Sequence, residues 1–209
     1  MTTAVAAYDP IGIEPAPAPV PGRRNVLLVG ALLASAAGAA LIGALLGGYF
    51  SARDVAKASN QVWPPETVAL PNVALFVTYI GLLLSGFTAV WALAAIKMDD
   101  RRQAYLAFAT TIGLGLLFVN GLTFCWSRMA MAAGSSPYAT HVYAVTVVHA
   151  LLVVAAIVAW VVVGFRVLGG QLSPRSSEPI AAAVVIWHFV VASGLVIWWC
   201  LWFLEGGPG

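Results

Sequence analysis

Charge is what this sequence has least of. Only 9% of its 209 residues are charged while 61% are hydrophobic, against about a quarter charged in soluble domains. A water-soluble globular fold is thereby excluded. The eight acidic residues, Asp9, Glu14, Asp54, Glu66, Asp99, Asp100, Glu178 and Glu205, all fall in a tail, a connection or the end of an apolar run. No carboxylate stands at the depth where proton relays and ion-coupled carriers keep theirs. The net charge of +2 supplies no basic face or stripe for nucleic acid. Cysteine is nearly absent as well. Cys125 and Cys200 can neither frame a zinc site nor staple a small fold, and each is expected to serve as a small apolar residue. A phosphate-binding loop, a dinucleotide fingerprint and a Ser/His/Asp set are all missing.

What is present is a series of long apolar runs. The last, Ile180 to Leu204, carries no charge and ends in Trp198-Trp199-Cys200-Leu201-Trp202-Phe203, the pattern of a helix that crosses a bilayer and anchors on aromatic rings at its far interface. Four more runs precede it: Val26 to Phe50, Pro71 to Ile96, Gln103 to Trp126 and His141 to Leu168. The expected fold is all-α, an integral membrane bundle of five transmembrane helices over residues 25–209. Residues 1–24 contain Pro15-Ala16-Pro17-Ala18-Pro19-Val20-Pro21 and close on Arg23-Arg24. Proline removes backbone donors and fixes φ, so this Pro/Ala-rich segment reads as an extended tail. Its positive pair sits too far along, and the run after it is too long, for a cleaved signal peptide.

Small residues dominate the first run, with Gly30, Ala34 and Gly38 in one four-residue series and Ala39, Gly43 and Gly47 in another. Such spacing places them on one helix face, where they allow close approach of a second backbone. Gly38, Gly43 and Gly47 are therefore candidates for helix packing. Trp63-Pro64-Pro65-Glu66 reads as a rigid turn carrying an interfacial tryptophan.

Lysine and arginine set the orientation. One side holds Arg23, Arg24, Lys97, Arg101, Arg102, Arg166 and Arg175; the other holds Arg53, Lys57 and Arg128. Cytoplasmic loops carry the excess, which predicts an N-terminus inside and a C-terminus outside.

Two histidines lie within runs. His188 is roughly 12 Å deep from the inner side and His149 about as deep from the outer side, at ~1.5 Å per residue. Each could bond across helices or hold lipid, and a single b-type haem between His149 and His188 is the alternative. The difference in height counts against the haem. Cys125, Met129, Met131 and His141 gather soft ligand types on one side, in no spacing that copper sites require. Asn120, Thr123, Thr146 and Ser193 are expected to bond between helices. Taken alone, the residues describe a five-helix packing subunit or small carrier.

Several words in this order resemble subunit III of the haem-copper oxidases, the family of cytochrome c and ubiquinol oxidase subunit III. They are Tyr49-Phe50-Ser51-Ala52-Arg53, Trp63-Pro64-Pro65, Pro71-Asn72, Thr146-Val147-Val148-His149 and Trp187-His188-Phe189-Val190. The resemblance implies a five-helix bacterial member in the cytoplasmic membrane, without haem or copper of its own. It would pack on catalytic subunit I, which with subunit II carries the haem and copper, and would hold phospholipid. His149, His188, Trp187, Thr146, Trp63 and Arg53 then become residues that hold structure or lipid, with no catalytic residue and no metal ligand among them. The departures lie at polar positions. Gly38 and Cys125 stand where the family has buried acids, Leu122 replaces a glutamine, Leu152 a second histidine and Val191 an aspartate. An acid-dependent influence on proton uptake therefore does not carry over. A nitric oxide reductase or another membrane complex is the alternative host.

Overall fold

Inside a bilayer every backbone N–H and C=O must be satisfied within its own segment or its neighbours, which leaves uninterrupted apolar runs only the helix. The computed structural model describes residues 25–204, the side chain of Arg175 excepted; the expected tail at 1–24 lies outside them. Five helices follow one another: α1 (Val26–Ala58), α2 (Asn72–Lys97), α3 (Arg101–Arg128), α4 (Pro137–Leu168) and α5 (Glu178–Trp198). A 3-10 turn at Pro174–Ser176 precedes α5, and a π-helical stretch, Trp199–Phe203, continues it. All five are long and apolar enough to cross a membrane, and the described residues contain no strand.

The helix ends are set by polar chemistry that hydropathy does not see. α1 runs past Phe50 to Ala58 because Ser51–Ala58 is rich in alanine and helix-tolerant charges. It stops where Asn60 adopts φ 56°, a left-handed conformation that asparagine tolerates. The N–H of Gln61 then reaches the carbonyl of Ala56 at 2.9 Å and that of Asn60 reaches Lys57 at 3.1 Å, so the last carbonyls are not left bare. The same closure recurs after α2, with Asp99 at φ 57°, and after α4, with Gly170 at φ 70°. Asp100 serves twice, since its side chain accepts the N–H of Gln103 at 3.0 Å and starts α3. α4 begins four residues before the expected His141, because Ser136 caps it by accepting from Ala139 N–H at 3.1 Å and Pro137 occupies the first turn.

α5 is the centre of the bundle. It packs on α1, α2 and α4, while α3 lies against α2 and α4, and α1 against α4. Of the most apolar stretch of each helix, 56% is buried in α5 but only 17% in α1. α1 and α5 run parallel, joined at their starts by Glu178, whose carboxylate accepts the Leu27 N–H at 2.8 Å and the Leu28 N–H at 3.4 Å. One acid thus stands at the positive ends of two helices and caps a terminus that Asn25 does not cap itself.

Close approach depends on particular glycines. A Cβ at Gly115 of α3 would sit 2.6 Å from the Trp187 ring, and one at Gly38 of α1 would sit 2.5 Å from the ring of Phe189. Gly43 and Gly47 differ. Both are exposed and a Cβ at either would meet nothing within 4 Å. At Gly38 a side chain, the Phe189 ring, rather than a second backbone comes close, and at Gly43 and Gly47 none of the described residues does, because the inward stripe of α1 runs through Ala31, Gly38, Ile42, Leu46, Tyr49 and Ala56. We expect Gly115→Ala to destabilise the detergent-solubilised chain by about 1–3 kcal/mol through overpacking, and Gly43→Ala to change it by no more than about 1 kcal/mol, in the stabilising direction; unfolding in mixed micelles measures both.

Candidate functional site

The buried polar groups form a seam along α5. His149, fully buried on α4, places Nε2 2.9 Å from the carbonyl oxygen of Val190 on α5. A carbonyl only accepts, so Nε2 carries the proton and donates, leaving Nδ1 as a bare lone pair. That Nδ1 is buried with no hydrogen-bond partner among the described residues. The ring can reach the α5 backbone because the next turn is Gly194, where a Cβ would lie 3.0 Å from His149 Cε1. Phe118 meets the imidazole edge-on, with centroids 5.5 Å apart at 86°. Tyr79 continues the row against Phe118 at 5.3 Å and against Trp202 at 5.5 Å.

Trp187 lies on the next face of α5. Its indole N–H donates to Ser85 Oγ of α2 at 2.9 Å, and its ring meets Trp160 edge-on at 5.8 Å, which in turn packs on Phe108 at 4.8 Å. Thr146, one turn before His149, donates to Val142 O at 2.7 Å and accepts the Trp126 indole N–H at 3.1 Å. His149 Nε2, Trp187 and Thr146 bond to backbone or to a neutral side chain, while His149 Nδ1, Tyr79 OH and the Trp160 indole N–H have no hydrogen-bond partner among the described residues. The seam fixes helix positions and offers no nucleophile–base pair.

Trp63 does not lie loose at an interface. It is buried, donates its indole N–H to Tyr49 OH of α1 at 3.0 Å and meets Tyr138 edge-on at 5.2 Å, so the connection after α1 is folded back against α1 and the start of α4 by aromatic packing. Arg53 is half-buried, its guanidinium 5.9 Å from the Phe50 ring centre. Both cysteines are free thiols.

The two membrane histidines are not brought together. His149 faces Val190, Phe118 and Gly194 inside the bundle. His188 is exposed, bonded through Nδ1 to Val184 O of its own helix at 2.8 Å, and lies beside Gly86 of α2. Consecutive to the buried Trp187, it is turned about 100° away from the core. One iron between the two rings does not fit this arrangement. Among the described residues no group of three or more His, Cys, Asp or Glu gathers, and the soft residues Cys125, Met129, Met131 and His141 do not converge either: His141 bonds to Pro137 O and faces Gly48.

Sequence reasoning passed over Ser85 and Glu178. Ser85 gives no signal until Trp187 is known to face it. Glu178 carries one, being an acid in a first helical turn beside Pro179, although its second client across the chain could not be read from spacing.

The hydrogen bond from His149 is expected to be stabilising by about 0.6–2 kcal/mol, as for other bonds between membrane helices. His149→Leu should lower stability by that amount or more. His149→Gln, which can place an amide donor near the Nε2 position, should recover part of it. Chemical unfolding of the three forms in the same detergent decides the order.

Comparison with known proteins gives one family. Its description is cytochrome c oxidase subunit III, and the match covers residues 8–205. A probable cytochrome c oxidase subunit 3 from Rickettsia conorii is 28% identical over 133 residues, 62% of this chain and 47% of the relative. Cytochrome c oxidase subunit 3 from Thermostichus vulcanus is 27% identical over 164 residues, 77% of this chain and 80% of that one. The Marchantia polymorpha subunit is 26% identical over 149 residues, covering 67% and 56%. The chain thus spans about half the length of the two Rickettsia relatives it matches. With a family match over nearly its whole length and five apolar helices in one bundle, this chain belongs to the cytochrome c oxidase subunit III family.

Proposed function

We propose that the chain is a non-catalytic component of a bacterial respiratory haem-copper terminal oxidase, packing on the catalytic subunit and stabilising the complex. The observation that carries this reading is the family match across residues 8–205, joined to a seam in which His149 Nε2, Trp187 and Thr146 tie helices together through backbone carbonyls and neutral side chains. Haem and copper would sit in partner subunits. The orientation with N-terminus inside rests on Lys97, Arg101, Arg102 and Arg166 at one end of the bundle against Arg53, Lys57 and Arg128 at the other.

The missing acids fit a scaffold. Where the family resemblance places a glutamate, Gly38 faces the ring of Phe189 so closely that any side chain would displace it. Val191, in place of an aspartate, is buried against Gly86. These positions have been converted to packing, and a role in proton uptake that needs the acids is not part of this proposal.

The proposal includes phospholipid binding, and a groove supports it. A groove of about 440 Å³ opens between α1, α4 and α5, walled by Leu27, Ala34, Val162, Ala183 and Ile186, with Arg166 on its lining near one helix end. Apolar walls suit an acyl chain, and a guanidinium near the interface suits an anionic headgroup. Arg166→Gln should reduce retained acidic phospholipid about fivefold, as a single basic residue near the surface contributes about 1 kcal/mol; lipid mass spectrometry of the purified chain reads this.

The test of the whole reading is co-purification. A tagged chain extracted in mild detergent should bring down a large many-span subunit and a copper-binding subunit in equal amounts, with haem absorbance that follows the large subunit. Reductase subunits in their place, or a lone chain carrying its own haem band, would overturn it.

A further inference from the structure

The two halves of α1 are held differently. Of residues 26–37 only Ala31 is buried, whereas Gly38, Ile42, Leu46 and Tyr49 beyond them all are. Tyr49 is gripped by Trp63 and Tyr138, with ring centres 5.4 and 6.3 Å away, and Gly38 is seated under the Phe189 ring. Among the described residues, the hydrogen bonds from the first half to the rest of the bundle all go to Glu178, from the Leu27 N–H at 2.8 Å and the Leu28 N–H at 3.4 Å. A segment with few buried contacts and one polar tie belongs to the least stable part of a fold.

A weak point separates the halves. Ser35 turns its hydroxyl back onto the carbonyl of Ala31 at 2.8 Å, a bond that bends helices where it occurs. Gly38 follows within one turn, and serine and glycine so paired mark the places where helices kink. The groove of about 440 Å³ between α1, α4 and α5 takes its whole α1 wall from residues before Ser35: Val26, Leu27, Gly30, Ala31 and Ala34. Pro179, next to Glu178, lines it too. The polar tie and the hinge therefore stand at the two ends of one wall of the groove.

We propose that the first half of α1 is a strap over this groove, hinged at Ser35 to Gly38 and latched by the Glu178 carboxylate, and that the latch and an acidic phospholipid in the groove hold each other in place. This rests on the reading of the groove as a phospholipid site and adds what keeps the lipid there. Swinging the strap outward takes away the α1 wall and opens the groove sideways to the bilayer. An acyl chain lying between α1 and α4 supplies, in turn, the contacts that the strap lacks. The coupling is reciprocal: the factor by which the latch raises lipid retention is the factor by which lipid raises the latched population.

Spin-label distances and lipid mass spectrometry on the full chain test it together. Nitroxides are attached at Val29→Cys on α1 and Val158→Cys on α4, both exposed and both off the groove's lining, with Cys125 and Cys200 replaced by alanine. Glu178→Ala should add a population with a longer distance and lower the retained acidic phospholipid about 2- to 30-fold, the factor that loss of one helix cap gives. Glu178→Gln, whose amide oxygen still accepts, should fall between. Stripping the lipid from the chain with Glu178 intact should produce the same longer distance. Ser136→Ala, which removes the cap of α4 at Ala139 N–H, should do neither. An unchanged distance in Glu178→Ala, a longer distance with phospholipid fully retained, or the same loosening in Ser136→Ala would overturn the strap while leaving the groove's lipid reading intact. A chain with Glu178 intact that retains no phospholipid sensitive to Arg166→Gln would overturn both.

Discussion

The central position of α5 constrains everything else in this bundle. A helix with neighbours on three sides in a low-dielectric medium has no water to receive its donors, so the polar groups it carries or meets favour local partners, although His149 Nδ1 and the Trp202 indole N–H find none among the described residues. The Trp187 indole finds Ser85, the Val190 carbonyl receives His149, and Gly194 supplies the space that lets the imidazole reach the backbone. Remove that space and the ring backs away, the carbonyl keeps the Ser193 hydroxyl but loses the donor from α4, and α4 shifts from α5. Glycine and histidine here form one unit, with neither useful without the other.

This arrangement also accounts for the polar positions at which the chain departs from its family resemblance. A buried acid requires a cavity, a partner and a proton source, and each is removed when a ring or a branched side chain fills the site. Phe189 over Gly38 and Val191 against Gly86 occupy two such sites on different sides of α5, one facing α1 and the other α2. Two residues apart, the side chains point about 200° from one another, so two faces of α5 are repacked.

The spans were legible because bilayer thickness imposes a length on apolar runs that no soluble helix must meet. All five were visible, in order, from composition alone. Helix ends were less so. α1 overran Phe50 because alanine-rich polar turns continue a helix once it has emerged, and α4 began before His141 because a serine cap and a proline in the first turn have no hydropathy. Site geometry was legible in part. His149 stood out as a buried polar residue, yet its partner is a main-chain carbonyl, which no sequence displays. That His188 faces outward follows from a rotation of about 100° from Trp187, and choosing between the two required knowing where α5 sits. Of the two small-residue series in α1, Gly38 lies on the inward stripe, while Gly43 and Gly47 of the other face outward; spacing separates the series but does not say which faces the bundle.

The carboxylate of Glu178 closing the start of α1 has a consequence for biosynthesis. The two ends of that contact are 151 residues apart in the chain, and α1 packs chiefly on α4 and α5, the last helices to be made. At a translation rate of about 5–20 residues per second, α1 waits roughly 8–30 seconds in lipid, its inward stripe unmatched and its first amides uncapped. The mature bundle therefore closes from its C-terminal end, and the first helix inserted is the last to be fixed in place.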